Sequence, residues 1–436
     1  MSIRCARVPK ILMPKPGTDL SKWSVVACDQ YTSQPAYWNE VEHIVGDAPS
    51  TLRLTLPEIY LESPDCSAYI EKIHAAMERY TQDGTLTELP AGIVLLERDT
   101  GGACPRRGLV LAFDLDAYAY TPGSSSPIRP TEKTVVERIP PRLKVREGAS
   151  IELPHIMLLI DDPDRSVIEP LYARREEFSK LYEVELMQEG GHLTGWFIPE
   201  SADTDALLDA LARLSDREVF DAKYGITDGR PVLPYAVGDG NHSMATAKAY
   251  WEQIRPTLTE QEREIHPARW VLAEVVNIHD ESIVIEGIHR ALFGVDAVDV
   301  LDAAAHFFRA HGAEVIVAES IPSELPADVQ PFPFQSDTHT GYLLIQHSPW
   351  ALPVAALQAF LDDYLAAHAE AKIDYIHGLD VLHDLASKPG TMGFELPDPA
   401  KEDLFRGVIF DGVLPRKTFS MGEAREKRFY MEAKRI

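Results

Sequence analysis

A mixed α/β protein, with a mixed sheet flanked by helices, is the fold class that this sequence predicts, and three observations lead to it. Two strand-like apolar runs, Gly92-Ile-Val-Leu-Leu96 and Gly108-Leu-Val-Leu-Ala-Phe113, flank the turn Asp99-Thr-Gly-Gly102, which is the pattern of an antiparallel hairpin or meander. Amphipathic helix signals alternate with them. Ser67 is placed to cap a segment with Ile70, Ile73, Met77 and Tyr80 at helical spacing and Gly84 beyond it, and Asp203 or Thr204 to open Ala206 to Leu214. The 436 residues, 45% of them hydrophobic, suffice for a large core and for more than one structural unit.

After Arg290 the pattern restarts as a helix over Val298 to Ala310, then Gly312, a strand over Ala313 to Val317 and another over Gly341 to Gln346. This reads as a smaller α/β unit. The expected division is 1–295 for the main region and 296–436 for the smaller unit, with a C-terminal segment returning to the functional site. Thr121 to Pro130 and the Pro-rich stretch Ile321 to Phe334 read as mobile connections.

Charge narrows the choice of partners. Lys plus Arg total 42 against 68 Asp plus Glu, a net charge of -26, and the resulting field repels polyanions. Nucleic acid is therefore not expected as a partner, and no helix-turn-helix is recognisable. No apolar run approaches the roughly 20 residues that span a bilayer. The N-terminal residues show no leader pattern, so the cytoplasm is the expected compartment. Cys5, Cys28, Cys66 and Cys104 make no CxxC pair and read as free thiols. A homodimer is the expectation from symmetry statistics alone.

The strongest local signal is Tyr235-Ala-Val-Gly-Asp-Gly-Asn-His-Ser243 and the helix-forming run that follows, through Trp251. It predicts strand, tight turn, helix. Asp239 or Asn241 can cap, Gly238 and Gly240 allow close backbone approach, and the first-turn N–H groups with the helix dipole favour an anion. His242 adds a tunable donor, Ser243 a hydroxyl, and Asp239 either a metal ligand or a general base. The same residues equally suit a plain turn with His242 as a satisfied cap residue. The chain has no Gly-x-x-x-x-Gly-Lys-Ser/Thr loop, no Gly-x-Gly-x-x-Gly, no His-Glu-x-x-His and no Gly-x-Ser-x-Gly, which removes the usual support for the reaction classes that those motifs serve.

Two other clusters are ambiguous. Asp161-Asp-Pro-Asp164 offers oxygen ligands for Mg²⁺ but reads better as a solvated turn. Pro415-Arg-Lys-Thr-Phe-Ser-Met421 concentrates two cations and two hydroxyls, suited to clamping a phosphate or to a basic surface loop.

Taken in order, four passages resemble the bacterial and archaeal family labelled domain of unknown function 1015, often described as ParB-like. Ile128-Arg-Pro-Thr-Glu132 stands where the family has a segment containing His-Glu. Asp239-Gly-Asn-His-Ser243 stands where it has Asp-Gly-His-His-Arg, followed by an aromatic residue and a helix. Asp280 to Arg290 is similar to an acidic and apolar run ending in His-Arg, and Leu414 to Phe419 to a Pro-x-Lys-Ser-Thr element. Asp29, in Ala27-Cys-Asp-Gln-Tyr31, lies where the family has a Tyr-Asp segment.

The resemblance implies a ParB/sulfiredoxin-like core with large additions, because the central motif also looks like that of free-serine kinases on that fold. It further implies a phosphotransferase that moves a phosphoryl group from ATP or ADP, with Mg²⁺, to a small hydroxylated metabolite, free L-serine being the leading candidate. On that analogy Gly238, Gly240, Asn241 and Ser243 hold phosphate oxygens, and His242 with Lys417 or Arg290 stabilises developing charge. Asp239 binds Mg²⁺ or orients the acceptor, Glu132 is the alternative base, and Asp29 and His289 contact substrate. Two departures matter. Asn241 replaces the family's first His, and Ser243 replaces its Arg, which removes a fixed charge and a bidentate donor. The rival readings are a non-catalytic nucleotide or metabolite sensor, and a phosphatase or nucleotide hydrolase using the same cradle.

Overall fold

The computed structural model describes residues 3–153, 155–321, 324–376, 378–414, 418–420 and 422–436. The chain forms two units, residues 1–284 with 422–436, and residues 285–421. The division falls earlier than residue 295 because the strand His289–Phe293 pairs with Lys372–Ile376 on one side and Thr391–Phe394 on the other, inside the second unit. Residues 422–436 belong to the first unit, where Lys434 and Arg435 pair with Glu152 and Ile151, Ala433 bridges Leu12 and Arg428 bridges Val26.

The first unit has strands β1 (Ala6–Arg7), β2 (Lys10–Pro14), β3 (Leu86–Asp99), β4 (Arg106–Asp114), β5 (Ile128–Pro130), β6 (Ile151–Glu152), β7 (Met157–Ile160), β8 (Ser179–Leu186), β9 (Gly191–Pro199), β10 (Tyr235–Asp239) and β11 (Trp270–Asn277). Its main helices are α1 (Pro35–Val45), α2 (Cys66–Gln82), α3 (Ile139–Arg146), α4 (Glu169–Ala173), α5 (Ala202–Arg213), α6 (Arg217–Tyr224) and α7 (Asn241–Ile254). Ten of the strands form one mixed sheet in the order β5-β10-β7-β11-β4-β3-β9-β8, with β1 on β4 and β2 on β3. The expected hairpin is the antiparallel pair β3 and β4.

Both faces of this sheet are covered, which explains strands that are apolar at consecutive positions rather than at alternate ones. Along β3, Ile93 and Leu95 point into a core shared with Leu207 and Leu211 of α5 and Met244 and Trp251 of α7. The intervening Val94 and Leu96 point to the opposite face, against Val41 and Val45 of α1 and Ile73 and Met77 of α2. The mixed α/β class and the large sheet flanked by helices are thus as the sequence indicates.

Helix starts differ from the expected ones. Helix α2 begins at Cys66, with Asp65 rather than Ser67 at its N-cap. Helix α5 begins at Ala202 after Ser201, whose N–H donates to Thr204 Oγ1 at 2.9 Å. In both cases a polar residue just inside the helix is hard to tell from the cap itself.

The second unit contains a six-stranded sheet and the helix Ala297–Ala310. Its strands Glu314–Ala318 and Thr340–Gln346 match the expected pattern closely. The Pro-rich connection is partly ordered, since Val329–Ser336 is a strand with Phe332 and Phe334 buried. The neighbouring strand Thr391–Phe394 pairs with Phe334 to Ser336, and just beyond it Pro333 is used as an acceptor, its carbonyl taking the Glu395 N–H at 2.9 Å. Likewise Ile128–Pro130 is a strand rather than loop.

Candidate functional site

The sheet brings two sequence passages together at one edge. Strand β5 runs parallel to β10, with Ile128 opposite Tyr235 and Pro130 opposite Val237. The residues that follow, Glu132 and Asp239, therefore emerge at the same carboxyl end, where ligands gather in α/β sheets. Thr131 fastens the passage by donating its hydroxyl to the Val237 carbonyl at 2.7 Å.

Helix α7 starts directly after β10. Its N-cap is Gly240, not Asp239 or Asn241, and the backbone there has φ of 78°. A side chain at this position would be strained by the left-handed conformation, and a Cβ would also lie 2.1 Å from the His155 carbonyl oxygen. Glycine is required on both counts. Asp239 Oδ1 accepts from the Gly240 N–H at 2.8 Å, so the carboxylate folds back over the turn.

Asp239 is the electrostatic centre of the site. Its Oδ2 lies 3.2 Å from His155 Nε2 and 3.1 Å from Lys427 Nζ. Burial pushes the carboxyl's pKa up, but the His155 hydrogen bond and the Lys427 charge outweigh it and hold the value well below the usual carboxylate range. For Lys427, burial lowers the pKa and the Asp239 charge raises it further, with smaller contributions from Asp29 and Glu132. His155 is oriented from behind, its Nδ1 lying 2.8 Å from the Arg428 carbonyl. Both Asp239 oxygens thus accept from N–H donors. Among the described residues no group of three or more His, Cys, Asp or Glu side chains is arranged to hold a metal.

The first turn of α7 presents unused polar atoms. Asn241 Oδ1 and His242 Nε2 are buried without a hydrogen-bond partner. Burial, followed by the charges of Arg142 and Arg138, pushes the His242 imidazole down to about 4, so it is neutral at pH 7. Gly240, His242 and Ser243 line a cavity of about 180 Å³, together with Asp29, His155 and Arg142. Arg142 is tied to Glu58 and donates to the Arg138 carbonyl at 2.6 Å.

Of the other expected residues, Gly238 sits in β10 and is half-buried. Asp29 is exposed, with Oδ1 accepting from Gln30 Nε2 at 2.9 Å. His289 and Arg290 belong to the second unit. Arg290 is fully buried there, with Nε on Gln358 Oε1 at 2.8 Å, Nη1 on the Ile288 carbonyl at 2.6 Å and its guanidinium over the Tyr375 ring. These contacts hold it inside that unit. His289 Nδ1 accepts from the Leu396 N–H at 3.1 Å, beside a cleft of about 520 Å³. Lys417 lies outside the described residues. The Asp161 to Asp164 cluster is structural, because Asp161 bonds Tyr224, His279 and Lys223, and Asp162 accepts from the Ser166 and Val167 N–H groups.

Sequence reading missed His155, Lys427 and the arginines at the start of and along α3, Arg138 being its N-cap. A signal for the last was present. Arg138, Arg142 and Arg146 recur every four residues in an otherwise acidic chain, a cationic stripe at helical period. His155 and Lys427 carried no comparable mark, since their partner Asp239 is distant in sequence.

Fold and site together define an α/β protein in which a helix N-terminus opens on a pocket lined by Arg142 and Arg146, paired with Glu58 and Glu152 respectively. The chain belongs to the family described as Protein of unknown function (DUF1015), whose profile matches residues 12–381. No curated protein matches it. Among solved structures, it is similar to a free serine kinase in complex with AMP at 11% identity, covering 74% of this chain and 91% of that one with a TM-score of 0.37. A conserved hypothetical protein from Pyrococcus furiosus is 14% identical, with 75% and 94% covered and a TM-score of 0.35. SbnI with a C-terminal truncation from Staphylococcus aureus is 10% identical, with 72% and 83% covered and a TM-score of 0.34. Among the described residues no helix is long and apolar enough to cross a membrane.

Proposed function

We propose that the first unit binds a nucleotide by its phosphates at the start of α7 and transfers a phosphoryl group from ATP or ADP to a small hydroxylated metabolite. One observation carries this reading. Asn241 and His242 leave buried polar atoms unpartnered at a helix N-terminus that lines a cavity with Arg142. Unpaired buried polar groups are costly, and in this reading a phosphate oxygen accepts from His242 Nε2–H while a hydroxyl of the ligand donates to Asn241 Oδ1, an amide oxygen that only accepts. The ATP or ADP assignment rests on the family resemblance, and the geometry supports its phosphate portion.

In this reading the N–H groups of Asn241 and Ser243 and the dipole of α7 receive phosphate oxygens. Lys427 and Arg142 supply the charge that Ser243, standing in place of the family's Arg, does not. Asp239, held ionised, is too weak a base to accept the acceptor's proton; its work is to fix Lys427 and His155. Glu132 and Asp29 flank Lys427 and are the candidates for orienting the acceptor hydroxyl. Such a division suits phosphoryl transfer, which depends on positioning and charge stabilisation.

The test is phosphorus NMR of the protein with Mg²⁺ and ATP or ADP, with and without hydroxylated metabolites including L-serine. A phosphomonoester signal that requires the metabolite and disappears in His242→Ala is the expected outcome. Free phosphate alone would favour a hydrolase, and an unchanged spectrum despite nucleotide binding a sensor.

A further inference from the structure

The cavity beside α7 has a second character that phosphate binding does not use. From Arg142 it follows α3 past Val145 to Ala149, and its lining there is Leu54, Leu56, Met77, Ile151 and Leu153. These five are buried members of the core between the sheet and helices α1 and α2. The cavity therefore has a polar mouth, at Arg142, Glu58 and His242, that continues into a gap beside a hydrocarbon core. Close-packed interiors do not keep such gaps without cost, because the atoms lining an unfilled void forfeit dispersion contacts.

Size and chemistry restrict what fills it. A cavity of about 180 Å³ is near the ~150 Å³ apolar cavity that accommodates one benzene ring. Three polar side chains line this end: Thr55, whose hydroxyl donates to the Thr51 carbonyl at 2.8 Å, and Arg146 and Glu152, which pair with each other and leave Arg146 Nε without a partner. The Cys28 thiol is pushed up by burial, stays protonated and offers only a weak donor. A heterocyclic base, or an acceptor bearing an amino and a carboxyl group, has more polar atoms than Arg146 Nε can pair, and would set the rest against Leu54, Leu56, Met77, Ile151 and Leu153.

Resting on the phosphate reading above, the geometry points to an acceptor whose hydroxyl is carried on a compact apolar body, about one ring or a branched five- or six-carbon group. The hydroxyl, or the phosphate ester made from it, lies at Arg142 and the first turn of α7, and the body enters the gap along α3. A free polar amino acid is the wrong shape of chemistry for this end.

Calorimetric titration of the full chain with inorganic phosphate, O-phosphoserine and benzyl phosphate tests the assignment. Benzyl phosphate is expected to bind at least about tenfold more tightly than either of the others, in line with what small apolar groups contribute in a fitted pocket. In Ala149→Leu the added carbons occupy the gap, and the ratio between benzyl phosphate and inorganic phosphate is expected to fall to within about twofold of one. Val145→Phe, at a half-buried position, gives the same test should Ala149→Leu fail to fold. Phosphate bound without any preference for benzyl phosphate, or a preference retained in a folded gap-filling variant, overturns the apolar acceptor and leaves the phosphate site standing. Failure of all three compounds to bind removes both.

Discussion

His155 and Asp239 face each other at 3.2 Å between Nε2 and Oδ2, while the other ring nitrogen of His155 sits 2.8 Å from the Arg428 carbonyl. A strand start, a strand end and the C-terminal segment are thereby locked at one point. Lys427, next to Arg428 in sequence, shares the same Asp239 oxygen at 3.1 Å. Replacing Lys427 by Met is expected to weaken ADP binding roughly ten- to hundredfold, the worth of one hydrogen bond to a charged group. Calorimetry on the folded variant measures it, and an unchanged affinity would remove Lys427 from the phosphate site.

Gly240→Ala places a Cβ 2.1 Å from the His155 carbonyl and a side chain at φ of 78°. The expected loss is roughly 2–3 kcal/mol of unfolding free energy, from left-handed strain plus the backbone shift. Urea denaturation reads it directly. A loss of only a few tenths of a kcal/mol would mean that the turn after β10 is looser than described.

His242 makes stability depend on pH. Its imidazole sits at about 4 in the folded protein against 6.5 for the free side chain, chiefly because it is buried. Between those values the unfolded chain binds a proton that the folded chain does not, so stability is full above pH 6.5 and declines as pH falls toward 4. With the shift discounted for partial exposure, the loss is about 1–2 kcal/mol. The His242→Gln variant is expected to show a shallower decline in urea midpoint over that window, and a slope identical to wild type would contradict the placement of His242.

Arg290→Met separates the two cations that the sequence offered as substitutes for the family's arginine. Arg290 is buried in the second unit on Gln358 and Tyr375, so its loss is expected to cost about 2–3 kcal/mol of stability and to leave ADP affinity within twofold of wild type. A tenfold fall in affinity without destabilisation would reverse that assignment.

Much of this architecture is legible in the sequence because the signals are local. The β3 and β4 hairpin, the helix from Ala297 and the strand-turn-helix around Gly240 are each written in a continuous run. Boundaries were less legible. Gly240 rather than Asp239 caps α7, since the φ of 78° reflects the His155 carbonyl lying against the turn, and that carbonyl comes from a remote segment. The start of the second unit is hard to read locally for a similar reason, because His289–Phe293 pairs with strands that arrive roughly eighty to a hundred residues later. The site was legible as a motif and not as a charge balance. Its counter-charges, Lys427 and the stripe on α3, reach Asp239 and His242 only through the fold.

The most direct test of the central claim, that a nucleotide's phosphates rest on the first turn of α7, is the imidazole nitrogen spectrum of ¹⁵N-histidine-labelled protein titrated with ADP. The unpartnered His242 resonance, assigned with His242→Gln, is expected to shift progressively, with its pKa rising from about 4 as the bound anion approaches. ADP that binds, by calorimetry on the same sample, without moving that resonance at any pH between 4 and 7 would place the nucleotide elsewhere and contradict the account.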